Sequence, residues 1–346
     1  MESRRPLDFN ICEQRCGRYL TICLNYGARF GHYFATWKGG FTIAMMMNLT
    51  YVHHEFTPNN RIPGKVWEDF LGIGRGFEDY SSLCVNRKVA RNSTKGYLAG
   101  ECLEFMPCLE VVPVGVMYHK NKTEIRETMG RLMKEHPGCN VVFHLTKEQH
   151  AGFDPSPKEF PEGILNFIRR SYTTARRHHP IRCLFDPAKL SVGVHIRRGD
   201  VSSTKNTVGR YMPNIVYLTA LRKVISMLEK LEYRSALPSK AGIAVHIFSE
   251  GEREDFGPLQ DFPNTTFHLN HDLFETLHNL ALADVFVGSR SGFSTFAKKF
   301  ARGVTIFPFT PLELNMTTGD IDEKIFIEEW KAKVESLKTI DCERET

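Results

Sequence analysis

No uninterrupted apolar run of about 18 residues or more occurs in this sequence. With a mean hydropathy of −0.30, no membrane-spanning helix is expected within it. The opening residues, Met1 to Pro6, are charged and lead into no apolar stretch, so no signal peptide is visible. Two compartments remain: the cytoplasm, or the ER or Golgi lumen if a targeting segment is absent from this sequence. Charge of one sign is also scarce. The net charge is +5, and the basic pairs Arg169-Arg170, Arg176-Arg177 and Lys298-Lys299 are scattered. That suits an anionic ligand, and no nucleic-acid partner is expected. The nine cysteines include no C-x-x-C pair, which argues against a zinc ribbon. Their odd number argues against a fully paired secreted framework and leaves room for one or two bridges. Internal repeats and low-complexity segments are absent.

What is present is globular. Hydrophobic residues make up 42% and charged residues 25% of 346 positions. That length suits two cores of roughly 150–200 residues each. Five N-x-S/T sequons occur, at Asn48, Asn92, Asn121, Asn264 and Asn315. With 16 asparagines in the chain, chance predicts about two, so the excess favours the lumen.

The second half alternates apolar strands and helices. Strands are expected at Leu190–Ile196, Ile243–Phe248, Thr265–Leu269, Val285–Val287 and Val304–Phe307. Helices are expected over Pro213–Leu231, Leu273–Leu282 and Phe293–Ala301, with a last one near Asp322–Leu337. Apolar strands separated by helices imply parallel pairing with right-handed crossovers, a Rossmann-like layer. The first half is less regular. It reads as a strand at Leu20–Leu24, a helix over Tyr33–Met47 and a strand at Leu49–His53. A loop-rich stretch with a few short helices is expected from Thr57 to Gly100. A helix at Glu124–His136, a strand at Val141–Leu145 and a helix at Gly163–His178 follow. The connection between halves is expected at Pro180–Pro187.

Three local patterns carry chemistry. In His195-Ile196-Arg197-Arg198-Gly199-Asp200 an apolar strand runs out into two arginines, a glycine and an aspartate. Ligands of open parallel sheets sit at the carboxyl ends of strands, and guanidinium forks suit a pyrophosphate. An Arg–Asp ion pair at a surface strand end is the plainer reading. In Ala283-Asp284 through Phe293-Ser294, a strand enters a hydroxyl- and glycine-rich turn opening a helix. That is an anion site, or simple capping with Ser291 as N-cap. In Arg29-Phe30-Gly31-His32 a glycine-containing turn precedes a helix, with His32 as a proton acceptor or hydrogen-bond donor.

The first pattern resembles the H-x-R-R-x-D motif of the fucosyltransferases that build α1,2, α1,6 and protein-O-fucosyl linkages. Arg29-Phe30-Gly31-His32 resembles the R-F-G-N turn of protein O-fucosyltransferases, and the stretch from Ala283-Asp284 to Phe293-Ser294 resembles their late motif. The resemblance spans about 270 residues and implies an α/β, GT-B-like architecture: two Rossmann-like domains facing a cleft. It implies an N-terminal acceptor-side domain at 1–185 and a GDP-sugar-binding domain at 186–320. A C-terminal helix and tail occupy 321–346. The implied activity is transfer of fucose from GDP-fucose to a glycan or protein hydroxyl, with inversion and without a metal or other cofactor. Alternatives are another nucleotide sugar as donor, or a degenerate relative that binds without turnover. The departures at His32, where the family has Asn, and at Gly292, where a second serine is common, motivate the latter.

The resemblance assigns Arg197 and Arg198 to the diphosphate and His195 to the guanine and ribose. Ser289, Ser291, Phe293 and Ser294 would line the nucleotide pocket, with Asp284 against the base. Arg29, Phe30, Gly31 and His32 would close over the sugar. Charge developing on the diphosphate needs either fixed donors or a cation held by carboxylates. The only D-x-D, Asp320-Ile321-Asp322, suits the start of the terminal helix better than a metal. Base candidates for the acceptor hydroxyl are Asp200, His32, Glu55 and Glu250; the alternative reading of Asp200 is that it orients the arginines. His53-His54 and His178-His179 are not expected to bind metal. Trp67, Phe70, Phe77 and Tyr80 are read either as sugar-stacking surface or as a small core.

Overall fold

A computed structural model describes residues 17–22, 30–54, 56, 62, 64–74, 77–88, 91–92, 96–97, 101–114, 122–145, 162–202, 210–308 and 321–337. The chain forms two compact units, Met1–Ala175 and Arg176–Thr346. The division falls within a helix, ahead of the Pro180–Pro187 segment.

The first unit begins with β1 (Arg18–Ile22), α1 (Phe30–Met47), β2 (Thr50–His53), α2 (Gly64–Leu71) and β3 (Glu78–Asp79). Short strands follow: β4 (Cys84–Lys88), β5 (Arg91–Asn92), β6 (Gly96–Tyr97), β7 (Glu101–Phe105) and β8 (Glu110–Val114). Then come α3 (Lys122–Glu135), β9 (Val141–Leu145) and α4 (Glu162–His178). Its parallel sheet has the order β3-β2-β1-β9-β8. The stretch expected to be loops with short helices thus holds α2 but also strands, and β4 pairs antiparallel with β7. Tyr51, Val52, Val142 and Phe143 are adjacent pairs buried on both sheet faces, as strands covered by helices on both sides require.

Trp37 of α1 centres this core. Phe34 and Phe41 stack on it at 5.6 and 5.4 Å, and Tyr51, Phe56 and Phe77 meet it edge-on. Its indole N–H donates to His53 Nδ1 at 3.2 Å. His53 Nε2 lies 2.8 Å from Glu68 Oε1, which also accepts from the Phe56 N–H at 3.1 Å. His53 is therefore a core histidine in a buried polar chain. Trp67 and Phe70 are buried and Phe77 packs on Phe41 and Tyr51, so these rings are core and not a sugar platform. The side chain of Tyr80 lies outside the described residues.

The second unit runs β10 (Lys189–His195), α5 (Asn214–Lys230), the single turn α6 (Tyr233–Ala236), β11 (Gly242–Ser249) and β12 (Thr265–Leu269). It continues with α7 (Leu273–Leu282), β13 (Val285–Val287), α8 (Gly292–Lys298), β14 (Val304–Ile306) and α9 (Glu323–Leu337). All pairings are parallel, in the order β12-β11-β10-β13-β14. In chain order this is 3-2-1-4-5, the doubly wound pattern whose direction reverses between β10 and β13. Leu190, Val192, Val194, Val245, Ile247 and Val285 on one face meet Val216, Leu221 and Val224 of α5. Burial of each such side chain contributes about 1.5–3 kcal/mol. On the opposite face α7 approaches closely: a Cβ on Gly193 would meet the Ala283 Cβ at 3.0 Å. The two Rossmann-like α/β units expected from the resemblance are thus both present.

Candidate active site at the reversal point of the second sheet

In a sheet of this order the crevice lies beyond the carboxyl ends of the two strands where the order reverses. Here those are β10, ending in His195, and β13, followed by Gly288 and Ser289. Ser289 and Ser294 converge on His195: Ser294 Oγ lies 2.6 Å and Ser289 Oγ 2.9 Å from its Nδ1. The Ser289 N–H donates to Ser294 Oγ at 2.9 Å. Ser294 accepts there, so its own proton is available to His195 Nδ1. With the imidazole proton on Nε2, Nδ1 accepts from this hydroxyl and Nε2 is a donor. Phe293 packs on the imidazole at 4.9 Å. Burial first, and then the Arg197 charge, push the His195 pKa down to about 3. The ring is therefore neutral at physiological pH.

The two arginines differ. Arg197 makes a two-pronged pair with Asp200, Nε at 3.0 Å and Nη2 at 2.7 Å, which leaves Nη1 unpaired among the described residues. Arg198 is buried: Nη1 donates to the Arg197 carbonyl at 2.8 Å, and Nη2 donates to the Met212 carbonyl at 3.1 Å and to Asn214 Oδ1. Its guanidinium lies 4.5 Å from the Tyr211 ring centroid, and Asn214 is tied in turn to the Asp255 carbonyl at 2.8 Å. Arg198 thus clamps the exit of β10 to the start of α5. Gly199 sits at φ 76°, and a Cβ there would lie 1.9 Å from Glu250 Oε2. Only glycine allows both that backbone and the close approach of Glu250. Ser249 Oγ–H donates to the Ile196 carbonyl at 2.7 Å, holding the exits of β10 and β11 together.

Not every residue named from the sequence joins this edge. Asp284 starts the turn of chain at the opposite end of β13. Its Oδ2 accepts from the Ser191 N–H at 2.7 Å and Ser191 Oγ–H at 2.9 Å, and Lys240 Nζ lies 3.5 Å away. Burial raises its pKa despite these partners. Ser191 and His195 are four residues apart along β10, about 13 Å, so Asp284 ties strands together away from the crevice. Ser291 caps α8, accepting from the Phe293 N–H at 3.1 Å. Asp322 likewise caps α9, accepting from the N–H groups of Lys324 and Ile325 at 3.0 and 3.1 Å. Phe30, Gly31 and His32 form the first turn of α1, where a turn ahead of the helix was expected. Arg29, Glu55 and Asp320, with the side chains of Phe30 and His32, lie outside the described residues.

Sequence reasoning missed Tyr217. This fully buried residue of α5 donates its hydroxyl to Met212 Sδ at 3.6 Å and lies near Ser289 and Arg198; burial pushes its phenol pKa well above the ordinary value. Its only signal was a hydroxyl at helical spacing on an otherwise apolar face. Tyr211 and Asn214, which hold Arg198, gave none.

No protein-family model matches the chain, and no curated protein is detectably similar in sequence. Among solved structures the chain is similar to POFUT1 in complex with GDP-fucose, at 14% identity and a TM-score of 0.48, covering 85% of this chain and 98% of that one. FUT1 of Arabidopsis thaliana, a mutant in complex with GDP, is 10% identical with a TM-score of 0.41, over 87% of this chain and 72% of that one. The fucosyltransferase NodZ from Bradyrhizobium is 12% identical with a TM-score of 0.39, over 83% and 94% of the respective chains.

Proposed function

We propose that the chain is a GT-B glycosyltransferase that moves fucose from GDP-fucose to a glycan or protein hydroxyl, with inversion and without a metal. One observation carries this reading. The residues of the H-x-R-R-x-D pattern and the Ser289–Ser294 turn, about ninety positions apart, meet at the reversal point of a doubly wound sheet.

In this mechanism Arg197 turns Nη1 to the diphosphate. As the fucose C1–O bond breaks, the fixed charge meets the negative charge gathering on the leaving GDP. His195 offers its Nε2–H to the nucleotide, and Arg198 holds the loop that carries Arg197. The acceptor oxygen attacks C1 from the opposite face and gives up its proton to a base. Asp200, committed to Arg197 on both prongs, is the orienting group. Glu250, whose carboxylate has no hydrogen-bond partner among the described residues, is the base on this side. The disulfide-bonded state of Cys84, Cys108, Cys139 and Cys183 and the excess of sequons support the lumen of the secretory pathway as the compartment.

Thermal unfolding in EDTA with GDP, GDP-fucose, UDP and ADP tests the reading. At a hundredfold excess over Kd a ligand adds about 2.7 kcal/mol to native stability. GDP and GDP-fucose should raise the Tm, UDP and ADP should not, and Arg197→Ala should abolish the response. GDP should also be released slowly from GDP-fucose alone. Equal shifts with all nucleotides, or none with any, would overturn the donor assignment.

A further inference from the structure

Four of the asparagines described in the structure adopt the left-handed backbone conformation: Asn48 (φ 53°), Asn140 (φ 57°), Asn264 (φ 54°) and Asn270 (φ 56°). Asparagine is among the few side chains that tolerate it, so the turn alone accounts for the residue type. The four then part company. Asn140 accepts from the Gly17 N–H at 3.5 Å, and the Asn270 amide is bonded at both ends to the Gly251 backbone, at 3.0 and 3.1 Å. Neither belongs to a sequon. Asn48 and Asn264 both do, in Asn48-Leu49-Thr50 and Asn264-Thr265-Thr266. Their side-chain amides make no hydrogen bond among the described residues. Asn48, Thr50, Asn264 and Thr266 are all exposed, and neither Thr50 nor Thr266 uses its hydroxyl among those residues. A left-handed turn does not require a hydroxyl two positions on; N-linked glycosylation does.

We propose that Asn48 and Asn264 are N-glycosylation sites. The transfer is from a lipid-linked diphospho-oligosaccharide. A bond forms between the asparagine Nδ2 and the anomeric carbon of the first sugar. The bond from that carbon to the lipid diphosphate breaks, and the amide proton departs to balance the charge on the released diphosphate. No redox partner is needed. The disulfide-bonded cysteines Cys84, Cys108, Cys139 and Cys183 fit the same oxidising lumen.

Placement agrees with this assignment in both units. Asn48 stands two residues ahead of β2 and Asn264 directly precedes β12, at the amino ends of strands in parallel sheets. The candidate active site lies at the carboxyl ends of the second sheet, so a glycan at Asn264, at the amino end of β12, leaves it open. Asn264 also stands at the head of β12, the terminal strand of its sheet. An unpaired strand edge invites pairing with another chain, and a bulky hydrophilic group there opposes it.

The full chain, translated behind a cleavable leader with ER membranes, is recovered from the protease-protected lumen. Its peptides are released from glycan by an amide-cleaving glycosidase in heavy-oxygen water, which marks each occupied asparagine as a heavy aspartate. Marking is expected at Asn48 and at Asn264. Thr266→Ala should abolish the mark at Asn264 while Thr266→Ser keeps it, with Asn48 marked in both as the internal control. An unmarked Asn48 or Asn264 in a lumen-protected wild-type chain overturns the assignment at that position. Asn264→Gln should self-associate at lower concentration than wild type by light scattering; equal behaviour overturns the role given to that glycan at the strand edge.

Discussion

Arg197 and Arg198 are neighbours in sequence, yet their substitution should separate stability from ligand response. Removing the Arg198 side chain leaves the Arg197 and Met212 carbonyls and Asn214 Oδ1 without their donor. Unmatched groups of this kind cost about 1–3 kcal/mol. Arg198→Ala should therefore lower the Tm by several degrees without ligand. The Arg197–Asp200 pair is partly open to solvent, and such pairs contribute about 0–1 kcal/mol. Arg197→Ala should keep close to the parental Tm while losing the shift with GDP. Differential scanning calorimetry with and without GDP checks both; an unstable Arg197→Ala beside an unaffected Arg198→Ala would reverse the roles. The motif was legible because charge and glycine after an apolar strand stand out. Which arginine is committed was not, because Tyr211, Met212 and Asn214 lie more than ten positions away and belong to no pattern. Asp284 misled for the same reason: its partners, Ser191 and Lys240, are distant in sequence and give no periodic sign.

At the scale of elements, the contact between β10 and α7 turns on one missing side chain. A valine at Gly193 would put its Cβ 3.0 Å from the Ala283 Cβ and 3.5 Å from Leu280 Cδ2, with two more methyl groups to house. Overpacking of this kind costs about 1–3 kcal/mol, more than the backbone entropy that a lost glycine returns. Gly193→Val should lower the denaturant midpoint with an unchanged slope, as measured by urea titration; an unchanged midpoint would mean α7 shifts freely. The strands and helices of this unit could be read from sequence because its strands are mainly apolar, β13 and β14 being short stretches buried on both faces. Thr265–Leu269, Leu273–Leu282 and Val285–Val287 appear as expected to the residue. The first unit was harder. β8 carries Pro113, which breaks the usual strand pattern and is tolerated because β8 is the terminal strand of its sheet. β4 and β7 mix Asn, Arg, Lys and Glu into their short runs, so neither alternates cleanly.

For the whole molecule, three buried histidines and the half-buried His195 set how it responds to acid. His195 and His278 are pushed down to about 3, and His246 and His268 to about 4, from an ordinary 6.5. Burial is the leading cause in each. Positive neighbours add to it: Arg197 at His195, Lys189 at His246, and Arg176 and Arg302 at His278. His268 faces His246, His271 and Arg182, opposed only by Glu275. His246 Nδ1 and His268 Nε2 are 2.9 Å apart, so one proton serves that contact and a second would break it. Between pH 6.5 and 4 the unfolded chain binds protons that the folded chain refuses. Stability therefore rises with pH across that window and is lost as pH falls through it. Asp284, raised by burial, acts in the opposite sense at pH values above its ordinary 3.8, so it offsets part of the histidine effect. All four histidines lie in Arg176–Thr346, so the loss should fall on the second unit. Going from pH 7 to pH 5 should lower its Tm by several degrees. Hydrogen exchange, corrected for its intrinsic pH dependence, should show β10, β11 and β12 losing protection while β1 and β2 keep theirs. His246→Phe keeps the buried ring and removes both its titration and the shared proton, so the fall in Tm with acid should flatten. An equally steep fall in that variant would mean that the acid response arises elsewhere.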